Sequence, residues 1–90
     1  MPGLRLLTYN IHKGIGGRDR KYRLYRVVDL IRGESPDLAC LQEVARFSRR
    51  TRRQDQVQIL SEALAMPAHL YQLNVRWQEG GYGNLLLSRW

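Results

Sequence analysis

Ninety residues with 43% hydrophobic and 26% charged content describe one small globular domain and exclude a disordered chain, while no apolar stretch approaches the roughly 18 residues that a helical membrane span needs. Fifteen Lys and Arg against eight Asp and Glu give a net charge of +7, and 13 of the 15 are Arg, so polyanions such as nucleic acid, phosphorylated substrates or an anionic surface are the favoured partners. One cysteine, Cys40, excludes a disulfide framework, and the first residues do not read as a signal peptide, which points to a soluble cytoplasmic protein.

Leu4 to His12, LRLLTYNIH, is short and rich in strand formers, and predicts a strand. Lys13-Gly14-Ile15-Gly16-Gly17-Arg18 predicts a flexible loop, since three glycines in four positions resist regular structure. Asp19 is placed to cap a helix, whose buried face is Leu24, Val27, Val28 and Ile31 and whose end falls at Gly33 and Pro36. Asp37-Leu38-Ala39-Cys40-Leu41-Gln42-Glu43 is an apolar run introduced by a turn and reads as a buried strand, with Cys40 as a small hydrophobe inside it.

Strand, helix and strand within about 40 residues form a βαβ unit, whose strands are parallel and whose carboxyl ends share one edge. Direction alone therefore brings Asn10 and Glu43 together. Arg46 to Arg53 is the basic peak, five Arg in eight residues, and is expected to be mostly exposed. Thr51 and Gln54 have capping-box spacing and predict a second helix with Val57, Leu60 and Leu64 on one face, ending before Pro67. His69 to Val75 and Gly83 to Ser88 predict two further strands, antiparallel to each other, with the reversal over residues 76–82. The fold class is α/β in β-α-β-α-β-β order with a mixed sheet.

Glu43 ends a buried strand at the edge where parallel sheets bind their ligands, which makes it a candidate metal ligand. A solvated strand-end carboxylate or a salt-bridge partner satisfies the same spacing. Asn10 is equally readable as an amide serving local backbone groups. His12 and Lys13 flank the glycine loop within reach of a bound phosphate, although exposed basic residues beside a loop need no function. Gly14, Gly16 and Gly17 match neither the P-loop nor the dinucleotide fingerprint. The arginine run suits a nucleic-acid backbone or simply solvent. Five Tyr and two Trp supply aromatic surface without forming a stacking ladder, and most are expected in or near the core.

Three segments together carry a resemblance: Thr8-Tyr9-Asn10-Ile11-His12-Lys13-Gly14, Asp37-Leu38-Ala39-Cys40-Leu41-Gln42-Glu43-Val44, and Gly81-Tyr82-Gly83-Asn84-Leu85-Leu86-Leu87-Ser88-Arg89. In order and spacing they resemble the start of the endonuclease/exonuclease/phosphatase superfamily, the exonuclease III-like and DNase I-like metal-dependent phosphoesterases. The resemblance covers essentially the whole chain but only about the first third of that family's domain. It implies a part of a four-layer α/β sandwich, phosphoester hydrolysis with Mg²⁺ or Mn²⁺, Glu43 as the metal-ligand glutamate, Asn10 near the metal and the scissile phosphate, and Asn84 along the edge of the site, where a turn-to-strand amide with a purely structural role fits equally well.

The family's later Asp/Asn and Asp/His motifs have no counterpart here, and neither His12 nor His69 has the context of the catalytic histidine. The chain is therefore expected to be an amino-terminal fragment, residues 1–90, of one such domain, inactive alone, with self-association or the remainder of the domain covering an open sheet. Within the superfamily a phosphatase or lipid phosphodiesterase uses the same first motifs as a nuclease, because fold does not set the substrate. A reading of a different class is a non-catalytic basic module that binds nucleic acid through residues 46–53.

Overall fold

Leu6–Asn10 forms strand β1 and Leu38–Arg46 forms strand β2 in the computed structural model, which describes residues 3–77 and 80–90. Helix α1, Leu24–Glu34, joins them; helix α2, Gln56–Ala63, and strands β3, Ala68–Trp77, and β4, Gly80–Ser88, follow. The element order and the mixed sheet are those expected, with strand order β1-β2-β4-β3. β1 and β2 are parallel, with Leu6 opposite Leu38 and Asn10 opposite Gln42, whereas β4 runs antiparallel to both β2 and β3. In the reversal expected over residues 76–82, residues 78 and 79 lie outside the described residues.

Both helices cover the same face of the sheet. Leu24, Val27, Val28 and Ile31 of α1 and Val57 and Leu60 of α2 form one buried cluster with Ala39 and Leu41 of β2 and Leu85 and Leu87 of β4. Strand alternation sends the intervening residues to the other face. There Leu6 lies opposite Leu38, and Leu86 lies between Cys40 and Leu70. Leu70 is 73% exposed and Leu6 60% exposed, so among the described residues no helix covers this side. Cys40 is accordingly half-buried on the open face and is not the core residue expected from its apolar run. Among the described residues no helix is long and apolar enough to cross a membrane.

Several local expectations are corrected by where polar side chains find partners. Asp19 does not cap α1; Arg23 precedes that helix without a side-chain cap, and Asp19 accepts the Lys21 amide at 2.9 Å and pairs with the Arg26 guanidinium. That pair holds the Asp19 carboxyl down at about 2. The α1 helix also runs through Gly33 and stops at Glu34, where Ser35 turns left-handed at φ 47°. Helix α2 starts from Asp55, whose carboxylate accepts the amides of Val57 and Gln58, and not from Thr51. Thr51 is instead fully buried in a 3-10 turn, its hydroxyl donating to the Ser48 carbonyl. The glycine segment is tied down rather than loose, since Ile15 bridges Tyr22 and the Gly16 amide donates to the Lys21 carbonyl.

The basic segment is mostly exposed, as expected, with Arg46 set apart from the other arginines. Arg46 lies within β2 and binds Asp55 through two contacts of 3.0 and 2.9 Å, while Arg49, Arg50 and Arg52 face solvent. Tyr9, Tyr22, Tyr71 and Tyr82 are half-buried as expected, but Tyr25 and Trp90 are exposed. Asp37, which opens the second apolar run, is buried and accepts the Arg5 amide at 2.8 Å and the Arg89 guanidinium at 2.7 Å. It thereby ties the chain on both sides of β2 to one carboxylate.

Candidate functional site

Parallel pairing places the carboxyl ends of β1 and β2 side by side, and the ladder continues one step past β1 where the Ile11 amide donates to the Gln42 carbonyl at 3.0 Å. β2 then bulges between Leu41 and Val44. Inside that bulge Glu43 has φ 56°, and across from it His12 and Lys13 have φ 51° and 57°. Left-handed backbone at non-glycine residues is strained by about 1–3 kcal/mol each and gathers at functional sites. A bulge also re-aims the side chain it carries, and here that side chain is a carboxylate.

Three residues of the first segment converge on Glu43. The Asn10 amide nitrogen donates to Glu43 Oε2 at 2.8 Å, the Lys13 ammonium lies 3.2 Å from Oε1, and His12 Nδ1 lies 3.7 Å from Oε2. The Asn10 amide, with Lys13 and His12 adding to it, lowers the carboxyl below the usual glutamate range against the opposing effect of burial. Asn10 is itself oriented, because its carbonyl oxygen accepts the His12 amide at 3.0 Å. Its nitrogen is therefore aimed at the carboxylate and its oxygen at the backbone.

Lys13 is more enclosed than His12 or Glu43, with 19% of its side chain exposed and its ammonium 4.0 Å from the centre of the Tyr82 ring. Behind it sits Gln56, the first residue of α2, fully buried. Gln56 accepts the Ala45 amide of β2 at 2.7 Å and donates to the Lys13 carbonyl at 2.8 Å and the Tyr22 hydroxyl at 3.3 Å. One amide thus fixes the strand beyond the bulge and the turn that carries Lys13.

Of the residues singled out in the sequence, Asn10, His12, Lys13 and Glu43 are brought together. Asn84 lies on β4 opposite Gln72, level with the Gln42–Glu43 bulge, with its side chain exposed. His69 sits at the start of β3, opposite Leu87, and bonds the Pro67 carbonyl, away from this edge. Gln56 gave no sequence signal beyond its place after a helix cap, and Tyr82 read as one more half-core aromatic.

Glu43 presents one ionised carboxylate, and among the described residues no three His, Cys, Asp or Glu gather to hold a metal. A hard divalent cation that keeps several waters takes only one or two protein carboxylates, so this donor set fits part of a Mg²⁺ site. Lys13 already occupies the second oxygen, so a cation binding there competes with its ammonium.

A profile of the endonuclease/exonuclease/phosphatase family matches residues 7–90. Among solved structures, the chain is similar to an endonuclease/exonuclease/phosphatase from Beutenbergia cavernae DSM 12333, with 26% identity and a TM-score of 0.78 over 96% of this chain. The chain spans 26% of that protein's length. No curated protein matches.

Proposed function

Because this chain belongs to the endonuclease/exonuclease/phosphatase family of phosphoesterases, we propose that the edge bearing Glu43 supplies the first part of a metal-dependent phosphoester hydrolase site, with nucleic-acid phosphodiesters as its substrates. The observation that carries this reading is the convergence of Asn10, His12 and Lys13 on one depressed carboxylate at the ends of two parallel strands. The excess of arginine favours the nucleic-acid substrate over a neutral or cationic one.

Glu43 would hold Mg²⁺ or Mn²⁺, which supplies polarisation of a phosphoryl oxygen and offsets developing negative charge. Asn10 keeps Glu43 ionised and fixed in direction. Lys13, whose ammonium lies 3.2 Å from Glu43 Oε1, would be free for a phosphate oxygen were a cation to take that carboxylate. His12, with 67% of its side chain exposed and its Nδ1 3.7 Å from Glu43 Oε2, would be a second basic group within reach of that phosphate. None of these groups is placed as a base for the attacking water, so the ninety residues alone are inactive in this reading.

Two measurements on the purified chain test it. Mn²⁺ is expected to broaden the backbone resonances around residues 10–13 and 42–44, and Glu43→Gln is expected to weaken that binding at least about tenfold. Metal binding that ignores Glu43→Gln overturns the assignment of Glu43. Mg²⁺-dependent cleavage of a phosphodiester by the chain, lost in Glu43→Gln, overturns the inactivity.

A further inference from the structure

Between α1 and α2 lies a cleft of about 440 Å³, a volume that suits a small ligand. Leu24, buried, and Ile59, half-buried, give it an apolar floor; Tyr22 and Tyr25 line it with two rings, and Arg23 and Arg52 stand exposed at it. It is separate from the Glu43 edge, because the buried Gln56 amide comes between them, bonded to the Tyr22 hydroxyl on one side and the Lys13 carbonyl on the other. Arg52 is held in place. Its guanidinium lies 5.8 Å from the centre of the Tyr22 ring, whose hydroxyl donates to Gln54 at 2.6 Å, and its backbone turns left-handed at φ 59° after the 3-10 turn that ends in the buried Thr51. Among the described residues no carboxylate or carbonyl takes up the guanidinium of Arg23 or Arg52. Asp19, close enough to feel Arg23, is held by Arg26.

We propose that this cleft is a second ligand site, for a phosphate monoester carried on a flat ring, with the ring against Tyr25 over Leu24 and Ile59 and the phosphate on Arg23 and Arg52. The site takes no part in the reaction at the Glu43 edge, and the inference does not depend on the phosphoesterase reading. Two guanidiniums with no carboxylate among the lining residues favour a doubly charged group, and a phosphate monoester carries about −1.5 to −2 at neutral pH where a carboxylate carries a single charge. The planar guanidinium takes phosphate oxygens through parallel bonds. Arginines that merely face water need no apolar floor. Here Tyr25 is 59% exposed beside the buried Leu24, so a ligand ring withdraws from water an apolar surface that a bare phosphate leaves wet. Mononucleotides and aryl phosphates share this chemistry and differ in the reach from phosphorus to ring.

The test is metal-free titration of the chain with inorganic phosphate, phenyl phosphate and 5′-AMP, followed through the amide resonances of Arg23, Tyr25, Arg52 and Ile59. At least one of the two ring-bearing ligands is expected to bind about tenfold more tightly than inorganic phosphate. Whichever of the two binds more tightly names the source, an aryl phosphate or a mononucleotide, and either order supports the site. Tyr25→Ala is expected to remove the preference for a ring, and Arg52→Gln to weaken binding about tenfold; both side chains are exposed, so neither change threatens folding. Glu43→Gln is expected to leave the binding unchanged, which separates this cleft from the carboxylate edge. Four results overturn the proposal: no binding of either ring-bearing ligand, binding no tighter than that of inorganic phosphate, binding indifferent to Arg52→Gln, or resonance shifts at residues 10–13 in place of residues 22–25 and 52–59.

Discussion

Asn10 and Glu43 are 33 positions apart, yet the amide nitrogen of one lies 2.8 Å from the carboxylate of the other, because β1 and β2 are parallel and end together. Replacing Asn10 by Ala removes the largest influence holding Glu43 below the usual glutamate range, so the Glu43 carboxyl is expected to titrate at higher pH in Asn10→Ala. A group whose folded value is depressed stabilises the fold above its unfolded value, and loses that contribution as pH falls through the folded one. The stability gap between the parent chain and Asn10→Ala is therefore expected to be full near pH 7 and to shrink in acid. Side-chain carboxyl NMR and urea unfolding across that range check both halves; a gap that is unchanged in acid contradicts the assignment.

Gln56→Leu is expected to destabilise by about 2–4 kcal/mol, because it strands the Ala45 amide and the Lys13 carbonyl in a buried setting. Gln56→Glu restores the acceptor for Ala45 but not the donor for Lys13, and is expected to fall below the parent as well. Urea midpoints measure the size. An effect under about 0.5 kcal/mol for Gln56→Leu would show that water replaces the amide at no loss.

Gln56 also marks the limit of what the sequence discloses. The elements were legible because their signals are periodic and local: Leu24, Val27, Val28 and Ile31 name one helical face, and the short apolar runs name the strands. The meeting of Asn10 with Glu43 was legible too, since it needs only the direction of two strands in a βαβ unit. The caps are not legible in the same way, because capping competes with other local partners: Asp19 has Arg26 seven residues on, and Asp55 stands closer than Thr51 to the helix it caps. Lys13 reaching Glu43 and Gln56 reaching both Lys13 and Ala45 depend on left-handed turns and a bulge, for which non-glycine residues give no sequence signal. The half-exposed position of Cys40 escapes the sequence for a related reason: its apolar neighbours announce a strand but do not say how many of its faces are covered.

Two glycines are expected to respond to alanine with opposite signs. A Cβ on Gly83 would collide with the Gln72 carbonyl, in a strand held between β2 and β3, so Gly83→Ala is expected to destabilise by about 1–3 kcal/mol. Gly33 lies within α1 with nothing within 4 Å of the Cβ it would gain, and Gly33→Ala is expected to stabilise by about 0.4–1 kcal/mol through the unfolded chain. Thermal melts of the two variants beside the parent separate the cases. A Gly83→Ala chain as stable as the parent would mean that β3 and β4 shift apart without loss.

The face of the sheet turned away from the helices carries Leu6, Leu38, Cys40, Leu70 and Leu86, and β1 and β3 are its two edges. An apolar sheet face with unpaired strand edges on both sides is a surface on which two copies can stack or add strands. The ninety-residue chain is expected to self-associate as its concentration rises. Leu70→Lys places a charge at the most exposed apolar position, on the edge strand, where it opposes edge pairing and face stacking alike. Leu86→Lys places it in the middle of the face, where it opposes stacking while leaving the β1 and β3 edges free. Sedimentation velocity on the three chains distinguishes the routes: loss of association in Leu70→Lys alone assigns it to the β3 edge, loss in both assigns it to the face, and a parent chain that stays monomeric at high concentration contradicts the expectation.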